Sequence, residues 1–210
     1  MKYIKGLDVS HFNYPIPWEH LSPDFKFMYC KATQGDTYKD IHFNDYWQHL
    51  KGTAMFRGAY HFLTAIDSAQ SQAENFLSLG IDFSKPGVLP PMLDIEDQVP
   101  ASLNKHITDN KAAFIQLATD WINIVETKTG RKVIIYSYKD FFASYLNNHS
   151  WPNNPLWLAS YQPHEPGLPK GYNKWTIWQN SQYGKLDGSL TGGSFDLDVF
   201  NGTAEQMAAL

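Results

Sequence analysis

Short apolar runs recur along this chain of 210 residues, and helix-like stretches separate most of them. Strands are predicted at Tyr3–Val9, Lys26–Ala32, Phe56–Phe62, Val88–Ile95, Lys132–Tyr138, Leu156–Ser160, Lys174–Trp178 and Ser194–Val199. Helices are predicted at Asp40–Lys51, Ser68–Leu79, Thr108–Lys128, Lys139–Tyr145 and Ala204–Leu210. In Thr108–Lys128, Phe114, Leu117, Ala118, Trp121 and Val125 form an apolar stripe at helical spacing, and Gly130 follows as a stop. Strand–helix alternation through Tyr138 predicts a mainly parallel sheet with crossover helices. After Leu156 the helices thin out, and the turn-rich segments His164–Gly171 and Tyr183–Gly193 suggest β-hairpins closing the sheet. No linker, repeat or low-complexity segment interrupts the pattern, so residues 1–210 read as one domain.

Several of these runs end in carboxylates. Val88-Leu-Pro-Pro-Met-Leu-Asp-Ile-Glu-Asp97 places Asp94 and Glu96 two residues apart after an apolar approach, so a continuing strand sends both side chains from one face. Asp8 follows Ile4-Lys-Gly-Leu7, while Asp196 and Asp198 lie in Ser194-Phe-Asp-Leu-Asp-Val199. In a parallel barrel the C-terminal strand ends converge on one face, where such acids would meet. Taken singly, Asp8 reads as a cap onto Ser10 or His11, and Asp198 as a turn acid before Asn201-Gly202. Taken together, paired carboxylates suit glycoside hydrolysis, in which one carboxyl donates a proton and another stays charged near the developing oxocarbenium ion.

Aromatic and polar residues end other runs: Tyr60-His61-Phe62, Tyr136, Trp157 with Tyr161, and Trp178-Gln179. The chain holds 7 Trp, 12 Tyr and 13 Phe, which serves either a large aromatic core or a sugar-stacking groove. Four strand ends of this kind favour a carbohydrate cleft, with rings against sugar faces and amides on hydroxyls. Lys31, at the end of the second run, either snorkels to solvent or pairs with a rim acid. His61 reads as a hydrogen-bonded structural histidine, and Cys30 as a buried inert thiol.

A formal net charge of −4 argues against a nucleic-acid partner. One cysteine excludes an internal disulfide framework, and no Cys/His spacing suggests a metal site or cofactor. No stretch reaches the ~20 apolar residues of a membrane span, and Met1–Asp8 lacks the apolar core of a signal peptide. Any export uses a route this sequence does not display.

The series Gly6-Leu-Asp-Val-Ser10, Lys31-Ala-Thr-Gln-Gly35, Gly58-Ala-Tyr-His-Phe62, Leu93-Asp-Ile-Glu96, Ile135-Tyr-Ser137, Leu156-Trp-Leu-Ala159, Ile177-Trp-Gln179 and Phe195-Asp-Leu-Asp198 resembles the glycoside hydrolase family 25 lysozymes. The resemblance runs from Gly6 to Gly202 in family order. It implies an irregular, flattened TIM-like α/β barrel of five β/α units completed by additional β-strands. It also implies cleavage of the β-1,4 bond between N-acetylmuramic acid and N-acetylglucosamine in peptidoglycan. Carried over position by position, Glu96 matches the general acid, Asp94 the carboxylate beside it, and Asp8 and Asp196 two supporting acids. Tyr60, Tyr136, Trp157 and Gln179 match sugar-contacting positions. Where the family often has Val-Asp-Leu-Asn, this chain has Phe-Asp-Leu-Asp, which leaves Asp198 without an assigned role.

The expected enzyme is thus a monomeric retaining muramidase acting on cell-wall glycan strands, without cofactor, metal, membrane insertion or cell-wall-binding repeats. The substrate's 2-acetamido group, rather than Asp94, is expected to attack the anomeric carbon. Two rivals stay open at this point: a catalytically silent glycan-binding module, and a chitinase-like barrel hydrolase. The latter's alternating acids are absent where Pro90-Pro-Met92 stands.

Overall fold

In the computed structural model, which describes residues 3–185 and 194–210, the first strand is paired on both edges and closes a barrel. Strand β1 (Ile4–Val9) lies parallel to β2 (Phe25–Gln34) and antiparallel to β9 (Phe195–Phe200). From β2 the sheet continues in parallel through β4 (Phe56–Phe62), β5 (Met92–Asp94), β6 (Ile134–Tyr138), β7 (Leu156–Ala159) and β8 (Ile177–Gly184). Strand β9 then returns antiparallel to β8, giving a closed eight-stranded barrel. A two-residue strand, β3 (Tyr38–Lys39), folds back on the end of β2 outside that ring.

Helices cover the parallel arc: α1 (Phe43–Lys51), α2 (Ala69–Leu77), α3 (Asn104–Asp109), α4 (Lys111–Thr129) and α5 (Lys139–Ser144). The short α6 (Ala204–Ala208) follows β9 and buries Met207 among the residues of the barrel interior. Strand alternation sorts the side chains into two cores. Met28, Cys30, Ala59, Leu93, Ile135 and Leu158 face the helices, where Phe114, Trp121 and Val125 of α4 meet them. Phe27, Tyr29, Ile134, Trp157, Ile177 and Phe200 fill the lumen. Two glycines make room there. A Cβ on Gly6 would lie 2.3 Å from the Phe27 ring, and one on Gly58 would lie 2.1 Å from the Tyr29 ring.

Predicted and observed elements differ where hydrogen-bonding groups are missing or redirected. The run Val88–Ile95 is reduced to Met92–Asp94, because Pro90 and Pro91 have no N–H for the ladder. The helix expected at Thr108–Lys128 is broken at Asn110, whose side chain accepts from Ala113 N at 3.1 Å and starts α4 afresh. It ends as expected, with Gly130 at φ +68°. The seventh predicted strand starts three residues later than Lys174 and runs on to Gly184; it pairs parallel to β7, so His164–Gly171 is a crossover and not a hairpin turn, and the antiparallel closure comes through β9. Most of the turn segment Tyr183–Gly193 lies outside the described residues. Among the described residues, no helix is long and apolar enough to cross a membrane.

Candidate active site

At the C-terminal mouth of the barrel a cavity of about 220 Å³ gathers acids from distant parts of the chain. Asp8 of β1, Asp94 of β5, Glu96 just beyond it and Asp196 of β9 all line it. Alternation explains the pair from β5: Ile95 between them is fully buried in the helix-facing core, so Asp94 and Glu96 both turn inward. The ladder persists past the formal strand end, since Ile95 N donates to Tyr136 O at 3.0 Å and Leu63 N to Asp94 O at 3.0 Å. Asp8 and Asp196 stand opposite one another in the β1–β9 register. Asp8 is therefore no helix cap; that task falls to Ser10 with Asn13.

Tyr60, Tyr136 and Gln179 join the acids on the cavity wall. Gln179 is the hub of a buried network. Tyr136 Oη donates to its Oε1 at 2.9 Å and Tyr161 Oη at 2.7 Å, while its Nε2 donates to Asp8 Oδ2 at 2.7 Å. Trp157 is placed otherwise than the sequence suggests. Its ring is wholly buried beneath the mouth, edge-on to Tyr29 and Tyr136, and does not line the cavity. Its Nε1–H donates to Asp198 Oδ1 at 3.0 Å. Asp198 is accordingly no turn acid: it points into the lumen against Asp8, and its Oδ2 is buried with no hydrogen-bond partner among the described residues. Gln182 also reaches the cavity; the predicted end of the seventh run at Trp178 hid it.

So many carboxyls in one dry space cannot all ionise. Burial pushes Glu96 from 4.5 up to about 7, against the opposing Lys31 ammonium and with Asp97 and Asp196 adding to the rise. Asp196 is raised to about 8 by burial and the charge of Asp8. Asp8 reaches about 6, because burial outweighs the hydrogen bond from Gln179. Asp94 is held well above the usual carboxylate range, first by burial and next by Glu96, with Lys31 opposing. Asp198 is likewise raised, by burial and then by Asp8. Lys31 donates to Gln34 Oε1 at 2.7 Å and sits 4.8 Å from the Phe62 ring centre. It acts on the acids through its charge, without a direct ion pair among the described residues.

His61 faces the helices, bonded to Thr33 Oγ1 at 2.7 Å and Gln72 Oε1 at 3.2 Å. Burial pushes its imidazole down to about 3, so it is neutral and structural. Cys30 is buried, and its thiol is pushed up by burial. Among the described residues no group of His, Cys, Asp or Glu has the arrangement of a metal site.

A barrel that gathers paired carboxyls at its C-terminal mouth is the architecture a barrel glycoside hydrolase uses. The model of the Glycosyl hydrolases family 25 matches residues 7–189, and the chain belongs to that family. Lysozyme M1 of Streptomyces globisporus is 32% identical over 99% of this chain and 71% of its own. The N,O-diacetylmuramidase of Arthroderma benhamiae is 28% identical over 97% of this chain and 85% of its own. Among solved structures, the bacterial lysozyme from Streptomyces coelicolor superposes with a TM-score of 0.88 at 29% identity, covering 100% of this chain and 97% of that one.

Proposed function

We propose that this chain is a muramidase that hydrolyses the β-1,4 bond between N-acetylmuramic acid and N-acetylglucosamine in peptidoglycan, with Glu96 as general acid and Asp94 as the carboxylate that orients the substrate's 2-acetamido group. The observation that carries the mechanism is Asp94 Oδ1. It is buried at the mouth without a hydrogen-bond partner among the described residues, two residues from a carboxyl that keeps its proton near neutrality. A buried acceptor left open is costly unless a ligand satisfies it, and the acetamido N–H is a donor of the right kind.

Glu96 passes its proton to the glycosidic oxygen as the C1–O bond breaks. The acetamido carbonyl oxygen closes on C1 from the other face, giving an oxazolinium whose N–H is held by Asp94. Glu96, now ionised, takes a proton from water as that water opens the ring, which restores the acetamido group and retains configuration. Asp94 and Glu96 leave one short segment on one face, an arrangement that suits this route better than attack by Asp94 from the far side of the sugar. Tyr60, Tyr136 and Gln179 offer ring faces and an amide to the bound sugar. Trp157 supports them from below.

The substrate polymer lies outside the cytoplasmic membrane, so the enzyme acts in the wall or periplasm.

The test is release of reducing ends from purified peptidoglycan and from chitin by the wild type and by Glu96→Gln. Release from peptidoglycan by the wild type alone is expected; equal activity of Glu96→Gln, or preference for chitin, overturns the assignment. A sugar trapped covalently on Asp94, detected by mass spectrometry, would replace the acetamido route with a nucleophilic one.

A further inference from the structure

An apolar surface outside the acid-lined cavity stands on the β1–β2 side of the mouth. Phe12 is 83% exposed, Ile41 73% and Tyr14 52%. They sit on two segments, residues 11–14 after β1 and residues 38–42 around β3, which the buried Asp40 ties together. Asp40 Oδ2 accepts from His11 N at 3.0 Å and pairs with His11 Nδ1 at 2.8 Å, while its Oδ1 accepts from His42 N at 3.0 Å. Tyr14 stacks on His42 with ring centres 3.7 Å apart and planes 3° from parallel, and Phe12 lies 4.0 Å from His11. These rings are therefore fixed in place while their outer faces stay in water, which is uncommon for a Phe with neighbours to pack on.

The surface stands beside the catalytic mouth, because residues 11–14 follow directly on β1, whose Asp8 lines the cavity. Asn13 Nδ2 donates to Ser194 O at 3.1 Å, two residues before the cavity acid Asp196, and Asp8 precedes Phe12 by four. On the opposite side, a groove of about 540 Å³ with mixed polar and aromatic walls leads away from Glu96 past Tyr138 and Tyr161 toward β6 and β7. A glycan crossing the mouth would lay its leaving-group side in that groove and its other end toward Phe12. Pyranose rings present apolar C–H faces that stack on aromatic planes, and such contacts need no charge.

We propose that Phe12, Tyr14 and Ile41 form a platform that binds a distal sugar of the same glycan strand, on the side of the cleaved bond away from Glu96. This rests on the muramidase reading given above. The platform makes the enzyme prefer long strands over short ones.

The test compares kcat/KM on purified peptidoglycan strands with kcat/KM on a soluble tetrasaccharide of the same glycan, for wild type, Phe12→Ala, Tyr14→Ala and the double variant. The long-to-short ratio is expected to fall about tenfold in the double variant, through KM, as for loss of two aromatic contacts. Phe12→Trp should restore the ratio and Phe12→Leu should not, because a planar face rather than apolar bulk is required. Matching thermal melts confirm that each variant folds. An unaltered ratio overturns the platform. So does a wild-type dimer in sedimentation that becomes monomeric in the double variant, since the surface would then join two copies. If the wild type releases no reducing ends, the muramidase reading fails separately. Co-sedimentation with purified peptidoglycan, lost in the double variant, then still decides for or against the platform.

Discussion

The barrel lumen is packed in two ways along its axis, and the two halves use burial for opposite ends. Toward the N-terminal end, Phe27, Ile134, Ile177, Phe200 and Met207 pack into one buried apolar cluster. There, removal of apolar surface from water stabilises the fold directly. Toward the mouth, Asp8, Asp94, Asp198 and Gln179 are as thoroughly buried, and there burial raises carboxyl affinities for protons at the expense of stability. Tyr29 and Trp157 form the boundary. Each packs an apolar ring in the lumen and gives its polar tip to a buried acceptor, Tyr29 Oη donating to Pro90 O at 3.0 Å and Trp157 Nε1 to Asp198. The same β-strands thus build a core and a reactive mouth by changing only which residue points inward.

Two substitutions should break this division most sharply. Glu96→Gln removes the transferable proton and keeps the shape, so turnover should fall by about 10²–10⁴-fold with the melting temperature preserved. Near-normal reducing-end release would take Glu96 out of its role. Phe27→Ala should do the reverse. It empties the lower lumen over Gly6 and should cost about 3–5 kcal/mol in denaturant unfolding. The remaining folded enzyme should keep its kcat. A large loss of kcat with little loss of stability would show that the lower lumen is not merely a core.

Part of this division is legible in the amino-acid sequence. Apolar runs ending in Asp8 and Asp94 announce strands whose last residues leave the core; Asp196, second in β9, reaches the same mouth from the start of an antiparallel strand. Inward direction is readable only where a run alternates strictly. Trp157 sits amid Leu156-Trp-Leu158, an all-apolar run in which periodicity does not say which residue faces the lumen or how deep it lies. Depth follows from register, and register is a property of the closed sheet. Asp198 is hidden for the same reason: Asn201-Gly202 offers a local turn, whereas pairing with β1 and β8 carries the strand on to Phe200. The break at Asn110 is concealed by a helical stripe that begins only at Phe114. Nothing local marks Tyr138 as a partner of Asp97, which it reaches at 2.5 Å from 41 residues away.

Trp157→Phe sharpens the boundary between the halves with a smaller effect. The ring stays and the N–H is lost, so Asp198 Oδ1 loses its donor; leaving such an acceptor unsatisfied costs about 1–3 kcal/mol. If Trp157 acts through Asp198, Asp8 and Gln179, kcat should fall with KM little changed. A rise in KM alone, measured on soluble glycan, would return Trp157 to direct sugar contact.

The smallest expected effect is a displacement of pH dependence, and it reads the mouth by itself. Glu96 must hold its proton to act, so activity should decline as pH rises through about 7. The charge of Asp97 helps keep Glu96 protonated; Asp97→Asn should therefore move that alkaline limb to lower pH. An unmoved or raised limb in the pH profile of kcat/KM would show that Asp97 does not act on Glu96. Stability carries the complementary signal. Asp196 is raised from 3.8 to about 8 in the folded chain, so the native state holds its proton more tightly than the unfolded chain does. This contribution is complete below about pH 4 and is lost as pH rises toward 8. Asp196→Asn carries no such proton, and its melting temperature should depend less on pH across that window than the wild type's. Parallel curves would place the ionisation of Asp196 outside the energetics of the mouth. A flatter curve for the variant ties the destabilising half of the lumen to its acids and leaves the apolar half, which has nothing to titrate, as the source of what remains.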